Sequence, residues 1–367
     1  MSGFLNIPSF ICARLGNTES RFGLTISSGL VGLLFVTIAG IYITPHFTAA
    51  FHGYNYSLLS NSPFDFSSNN PLRFRILLPL LGYLLFLRGP LFVIVPILFL
   101  WLLFSAIYHN YRRKNYPGAD ALLFSSLVAF SCAGLIPIVA AGYTDSGTYL
   151  FLFLAFTMIK RTGWSALNFA LGLFNHECSL FLLGPLLLYH YYSHQKDVPK
   201  TARFTMYIIF AVVLYGAYRY IVAQLTSVEY DWDYYFANLG KVTNIHRVWR
   251  STFVGAFFAF KLLWLLPMYA LFLTFKAKEY LLALVITSII FCTFLQLLIA
   301  YDITRIMCLA FPAILLSAER LKREFPSEQF TRILFVLILA NLFVPQFLVA
   351  DGEIIPMMPW PIWWALN

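Results

Sequence analysis

Apolar residues fill the chain in long runs, at about 22–44, 90–108, 120–142, 145–159, 163–175, 178–193, 204–224, 252–274, 279–300, 303–318 and 330–349. Most exceed the length of a strand. A helix rises ~1.5 Å per residue, so roughly twenty such residues cross a hydrocarbon core of ~30 Å. The pattern predicts an all-α, polytopic transmembrane protein with about 11 spans. The run at 76–87 is too short to cross alone and is predicted to lie at the interface. Runs 163–175 and 178–193 are also short. They predict a re-entrant or short helical hairpin that turns at Asn175-His176-Glu177, since short or broken helices face protein or a water-filled cavity.

Polar positions set the expected orientation. With the N-terminus (Arg14, Arg21) inside, basic residues cluster at Arg112-Arg113-Lys114, Lys160-Arg161, Lys196/Lys200/Arg203, Lys276/Lys278 and Arg320/Lys322/Arg323/Arg332. All of these fall on one side if 76–87 does not span, which is the pattern of cytoplasmic loops. The topology expected is N-in, C-out. Residues 1–367 read as a single integral membrane domain, with outer loops at 45–89 (containing the interfacial helix) and 225–251. The second loop interleaves Glu229, Asp231 and Asp233 with Tyr230, Trp232, Tyr234 and Tyr235, a pattern that suits either a sugar face or an interfacial amphipathic loop. The Trp-rich tail 350–367 suits an outer-interface anchor.

Composition narrows the class. Of 367 residues, 60% are apolar and 11% are charged, against about a quarter charged in an average soluble domain. This excludes a cytosolic enzyme, a disordered protein and a small disulfide scaffold. The net charge of +9 comes in short loop clusters rather than a basic helix, so no nucleic-acid partner is expected. Cys12, Cys132, Cys178, Cys292 and Cys308 show no metal-ligand spacing. Neither a metal nor another cofactor is expected. No small-residue cleavage site follows the first apolar run, which reads as an uncleaved span.

Four polar clusters lie toward the expected outer side. Arg73 and Arg75 open the short run 76–87. Their forks suit a phosphate at the bilayer surface, or they snorkel to headgroups. Asp145, in Tyr143-Thr144-Asp145-Ser146-Gly147, lies between two apolar runs. A carboxylate at a membrane edge is costly and points to function, though Asp also caps helices well. Asn175, His176 and Glu177 offer a general base, a hydrogen-bonding set for sugar hydroxyls, a metal ligand set, or a salt-bridge tie from Glu177 to a neighbouring helix. Asp302 and Arg305 stand at i, i+3, where they can pair on one helix face or orient a substrate.

These elements resemble a pattern in bacterial polytopic membrane proteins: Arg73-Phe-Arg75-Ile-Leu-Leu-Pro79, then Asp145, then Asn175-His176-Glu177, then Asp302 and Arg305. The chain resembles the GT-C membrane glycosyltransferases, which take sugars from polyprenyl phosphates. The usual acidic pair of the first outer loop is reduced here to Asp65. The resemblance implies glycosyl transfer at the outer face of the bacterial inner membrane, for cell-envelope glycan assembly. The partners implied are a lipid-linked sugar and membrane lipids. Asp145 or Glu177 would be the base, with Asp65 behind them. Arg73, Arg75 or Arg305 would hold the phosphate, Asn175 and His176 would orient the sugar, and Asp302 would set Arg305. The alternatives are an O-antigen or capsule polymerase, a transporter or lipid flippase using Lys261 and Glu177, and a non-catalytic assembly subunit.

Overall fold

The computed structural model describes residues 7–43, 49, 52–67, 70, 72–226, 245–297, 302–350 and 353–357; for 7–15, 17 and 245–250 it describes backbone only. The helices are α1 Ile7–Tyr42, α2 His52–Asn61, α3 Leu77–Leu84, α4 Ile94–Arg113, α5 Gly118–Ala129, α6 Cys132–Val139, α7 Asp145–Thr157 and α8 Thr162–Asn175. They continue as α9 Leu183–Ser193, α10 Val198–Leu225, α11 Ile245–Phe260, α12 Leu265–Lys276, α13 Tyr280–Gln296, α14 Ile303–Met307, α15 Phe311–Glu324 and α16 Ser327–Phe343. Two strands, β1 Gln346–Ala350 and β2 Glu353–Met357, close an antiparallel hairpin.

The all-α class holds, and every apolar run yields a helix. The expected number of spans does not hold. Four described helices are long and apolar enough to cross a membrane: Thr18–Tyr42, Gly89–Arg113, Val198–Leu225 and Ser251–Lys276. The bent pair α5–α6, which turns by 54°, would make a fifth. The rest are shorter. Helix α7 has 13 residues, α8 has 14 and α15 has 14.

Burial explains the short helices. Nearly every residue of α7 is buried, from Asp145 to Phe156. Helix α15 is buried from Phe311 through Ala318. A helix that is apolar nearly all round, as α7 is, belongs inside protein, whereas α15 buries its apolar first half and carries its charges in its last turns. Helix α4 packs on α1 and α7, α8 lies between α7 and α10, and α12 covers α15. Helix α10 is the opposite case, with Met206 70%, Phe210 69% and Val213 62% exposed along one stripe. A contiguous apolar face of that kind needs a non-aqueous surrounding.

Three further expectations change. The segment 45–89, expected to hold one helix at 76–87, holds two among its described residues, α2 and α3. The run 330–349 is not a single helix. Val344 is extended, Pro345 follows, and the chain continues as β1, because a proline disfavours helical backbone before it. The segment 163–193 is not two arms packed along each other. Helix α8 meets the 3₁₀ turn Glu177–Leu182, whereas α9 packs on α13. The acidic–aromatic stretch 229–235 and the tail 358–367 lie outside the described residues.

Candidate functional site

The site forms where the starts of α2, α7 and α14 meet the end of α8 and the stretch before α3. Close backbone approach makes this possible. A Cβ on Gly53 would come 2.1 Å from the Ala141 carbonyl oxygen, and one on Gly147 would come 2.7 Å from Leu78 Cδ1. Glycine at both points lets α2 and α3 press onto the α6–α7 corner.

Asn175 ends α8 and ties it to α7. Its Nδ2 donates to the Thr144 carbonyl and to Thr148 Oγ1, both at 2.7 Å. His176 then leaves the helix with extended backbone (φ −160°, ψ 124°). Its Nδ1 accepts the Cys178 N–H at 3.2 Å, so the neutral ring carries its proton on Nε2. Glu177 Oε2 lies 3.7 Å from the same Nδ1. With Nδ1 already accepting, this is a contact between two acceptors rather than an ion pair.

Glu177 is held by Arg75. The guanidinium donates from Nε to Oε2 at 2.9 Å and from NH2 to Oε1 at 2.5 Å. Its NH1 donates to the Tyr56 hydroxyl at 3.1 Å. The two charged side chains keep 15% and 22% of their surface exposed. This fork-to-fork pair uses both carboxylate oxygens.

Arg305 serves two acids. Its NH2 reaches Asp302 Oδ2 at 2.8 Å, while its Nε stands 3.6 Å from Asp145 Oδ1. The second distance exceeds a hydrogen bond. Among the described residues no side chain donates a hydrogen bond to Asp145. Arg305 also covers the Tyr143 ring at 4.9 Å, and His52 lies against the other residues of that corner, 5.9 Å from Tyr143. The two groups of charges are one cluster, because Asp145 is within electrostatic range of Arg75 as well as Arg305 and Asp302.

The predicted residues thus separate. Arg75, Asp145, Asn175, His176, Glu177, Asp302 and Arg305 come together. Arg73 and Asp65 do not join them. Arg73 is 1% exposed, donates to the Asp65 carbonyl, and lies 5.5 Å from the Phe66 ring centroid. Asp65 accepts from Ser67 Oγ at 2.5 Å and Ser67 N at 3.0 Å, bonds that hold its carboxyl below the usual range. So Arg73 and Arg75, two apart, do not form a double fork for one phosphate. Asp145 is the first residue of α7 and not its cap. Lys261, placed on a transport path in one expectation, is instead buried, with Nζ donating to the Val344 carbonyl at 3.0 Å.

Sequence reasoning missed Tyr56 and His52. The available signal was their spacing, since residues four apart on a helix share a face. Among the described residues no group of three or more His, Cys, Asp or Glu is arranged to hold a metal ion. No protein-family model, curated protein or solved structure matches the chain.

Proposed function

We propose that the chain is a membrane glycosyltransferase that takes a sugar from a polyprenyl phosphate, with Asp145 as the base. The observation behind this reading is the charge count of the cluster. Among the described residues, the lysines and arginines that Asp145, Glu177 and Asp302 face are Arg75 and Arg305. Glu177 takes two of Arg75's nitrogens while the third donates to Tyr56, and Asp302 takes the hydrogen bond from Arg305. Asp145 is left with an oxygen near a cation but not bonded to it, which suits a carboxylate that must accept a proton.

The step balances as follows. The acceptor hydroxyl gives its proton to Asp145, and its oxygen bonds to the anomeric carbon. The bond from that carbon to the phosphate oxygen breaks, and its electron pair leaves with the lipid phosphate. Arg305, fixed by Asp302, is the cation nearest that developing charge. The Nε2–H of His176 is available to a sugar hydroxyl. Arg75 and Glu177 brace the end of α8 instead of touching the donor. On this reading the basic ends of α4, α9 and α15 face the cytoplasm of a bacterial inner membrane, and the cluster faces outward.

The test is direct. Purified full-length protein in nanodiscs is supplied with farnesyl-phosphate hexoses, and release of farnesyl phosphate is followed by mass spectrometry. Release by the wild type that falls at least ~10²-fold in Asp145→Asn supports the reading, that being the usual scale for an acid–base group. Equal release by both proteins, or none from a folded wild type across the hexoses, removes it.

A further inference from the structure

A chamber lies at the end of α7 opposite the charged cluster. It has a volume of about 740 Å³, within the size range of small-molecule sites. Helix α7, which carries Asp145 of the charged cluster at its first residue, walls this chamber at its other end, together with the ends of α4 and α9 and with α15. Along α15, Phe311, Leu315, Glu319 and Arg323 recur every fourth residue and line it as one stripe. Phe311 is 0% and Leu315 4% exposed, whereas Arg323 stands at the exposed rim. Helix α7 repeats the gradient, from buried Phe153 and Phe156 to Lys160 just beyond its end. The floor is apolar and aromatic, and the rim is charged.

The rim carries an excess of positive charge. Lys114 Nζ pairs with Glu319 Oε1 at 2.8 Å. Arg323 NH1 donates to the Tyr192 hydroxyl at 3.4 Å. Lys160 has no carboxylate within salt-bridge distance among the described residues. Three cations against one carboxylate leave two positive charges, and a phosphate monoester carries nearly two negative ones at neutral pH. Tyrosine hydroxyls at the rim add donors for its oxygens.

We propose that this chamber binds a phosphate monoester of an apolar group, with the phosphate at Lys160 and Arg323 and the apolar part on the Phe153–Phe156–Phe311 floor. The site does not depend on the transfer reaction at the other end, so its test is a binding measurement.

Thermal unfolding of the full-length protein in dodecyl maltoside is followed with three probes: dodecyl phosphate, inorganic phosphate and dodecyl trimethylammonium. The expected result is a saturable rise in Tm with dodecyl phosphate and none with the ammonium amphiphile. The Lys160→Gln/Arg323→Gln double variant should need at least tenfold more dodecyl phosphate for half the rise, and Arg323→Lys should recover part of it. Both residues are exposed, so the variants should fold. A comparable rise with inorganic phosphate would assign the site to water-soluble phosphate compounds, and a rise with dodecyl phosphate alone would assign it to an amphiphile. Either carries the phosphate assignment. Equal responses to the cationic and anionic amphiphiles overturn it. So does no saturable rise with either phosphate, or a rise that the double variant leaves unchanged.

Discussion

Arg75 and Glu177, 102 positions apart in the chain, meet fork to fork. Their contact joins the stretch before α3 to the tip beyond α8. Removing one partner of a buried ion pair costs about 3–5 kcal/mol, because the other charge is left uncompensated. Here both side chains keep some exposure, so Arg75→Met and Glu177→Gln should each cost about 2–3 kcal/mol. The double variant Arg75→Met/Glu177→Gln should lose less than the sum. Unfolding of the four proteins as a double-mutant cycle measures this, and strict additivity would show that the pair is not coupled.

Asp145 and Asp302 share one arginine but differ in how they use it. Asp145→Asn removes no hydrogen bond seen in the structure, so its melting temperature should stay close to wild type while turnover collapses. Asp302→Asn loosens Arg305 and should lower both. Comparing melting and turnover for the two variants separates the roles. A large loss of stability in Asp145→Asn would make that carboxylate a structural counter-charge.

Asn175 donates to two acceptors on α7. Asn175→Ala removes this donor from both, but the Thr144 carbonyl keeps the Gly147 N–H at 3.0 Å, so the loss should be about 1 kcal/mol per hydrogen bond, the usual net scale. Asn175→Asp should be worse, since it sets a carboxylate oxygen against a carbonyl. The expected order of melting temperature is wild type, Ala, Asp. Asp above Ala would mean that the side chain reorients.

Gly147 marks where α7 meets α3. A Cβ there would be 2.7 Å from Leu78 Cδ1 and 3.1 Å from Asn175 Nδ2. Gly147→Ala should cost about 1–3 kcal/mol by overpacking. The nearest atom is the end of a side chain, so adding Leu78→Val should recover part of that loss. If Leu78→Val deepens it instead, the clash is not with Leu78.

How far the sequence could be read depends on which neighbours matter. Each apolar run became a helix because hydropathy is local. Whether a helix touches lipid is not local. The run at 145–159 is as apolar as a span, but α7 spends that character on α4, α8 and the protein centre. The break of 120–142 between α5 and α6 follows no residue that stops a helix; Pro137 lies inside α6, after the bend. Pro345, by contrast, is a local stop signal at the end of α16 that hydropathy alone, which runs on through 349, passes over. At the site, Asp302 and Arg305 were legible as a pair because three residues set their distance. The partner of Glu177 was not, since only the fold brings Arg75 to it. Arg73 and Arg75 looked alike in sequence, yet one serves its own loop and the other reaches a distant helix end.

Between the charged cluster and the chamber stand two rings. Tyr149 donates its hydroxyl to the Arg305 carbonyl at 3.4 Å, and its ring meets Phe311, on the chamber floor, at 5.9 Å. Helix α7 links the two polar ends with 13 residues, about 20 Å of helix. A bilayer core is ~30 Å thick. On the proposed orientation, with α7 across a bilayer and water reaching both polar ends, the insulating layer inside the protein would be thinner than the lipid around it. A membrane voltage, worth about 2.3 kcal/mol per charge per 100 mV, then falls across a shorter path and gives a field roughly half as steep again. Turnover in proteoliposomes held at different potassium diffusion potentials registers this, and a voltage-independent rate would place the layer outside the field. On the proposed reading, Tyr149 and Phe311 are the dielectric of a small capacitor, with Arg305 and Asp145 on one plate, and the membrane voltage is an input to the proposed transfer.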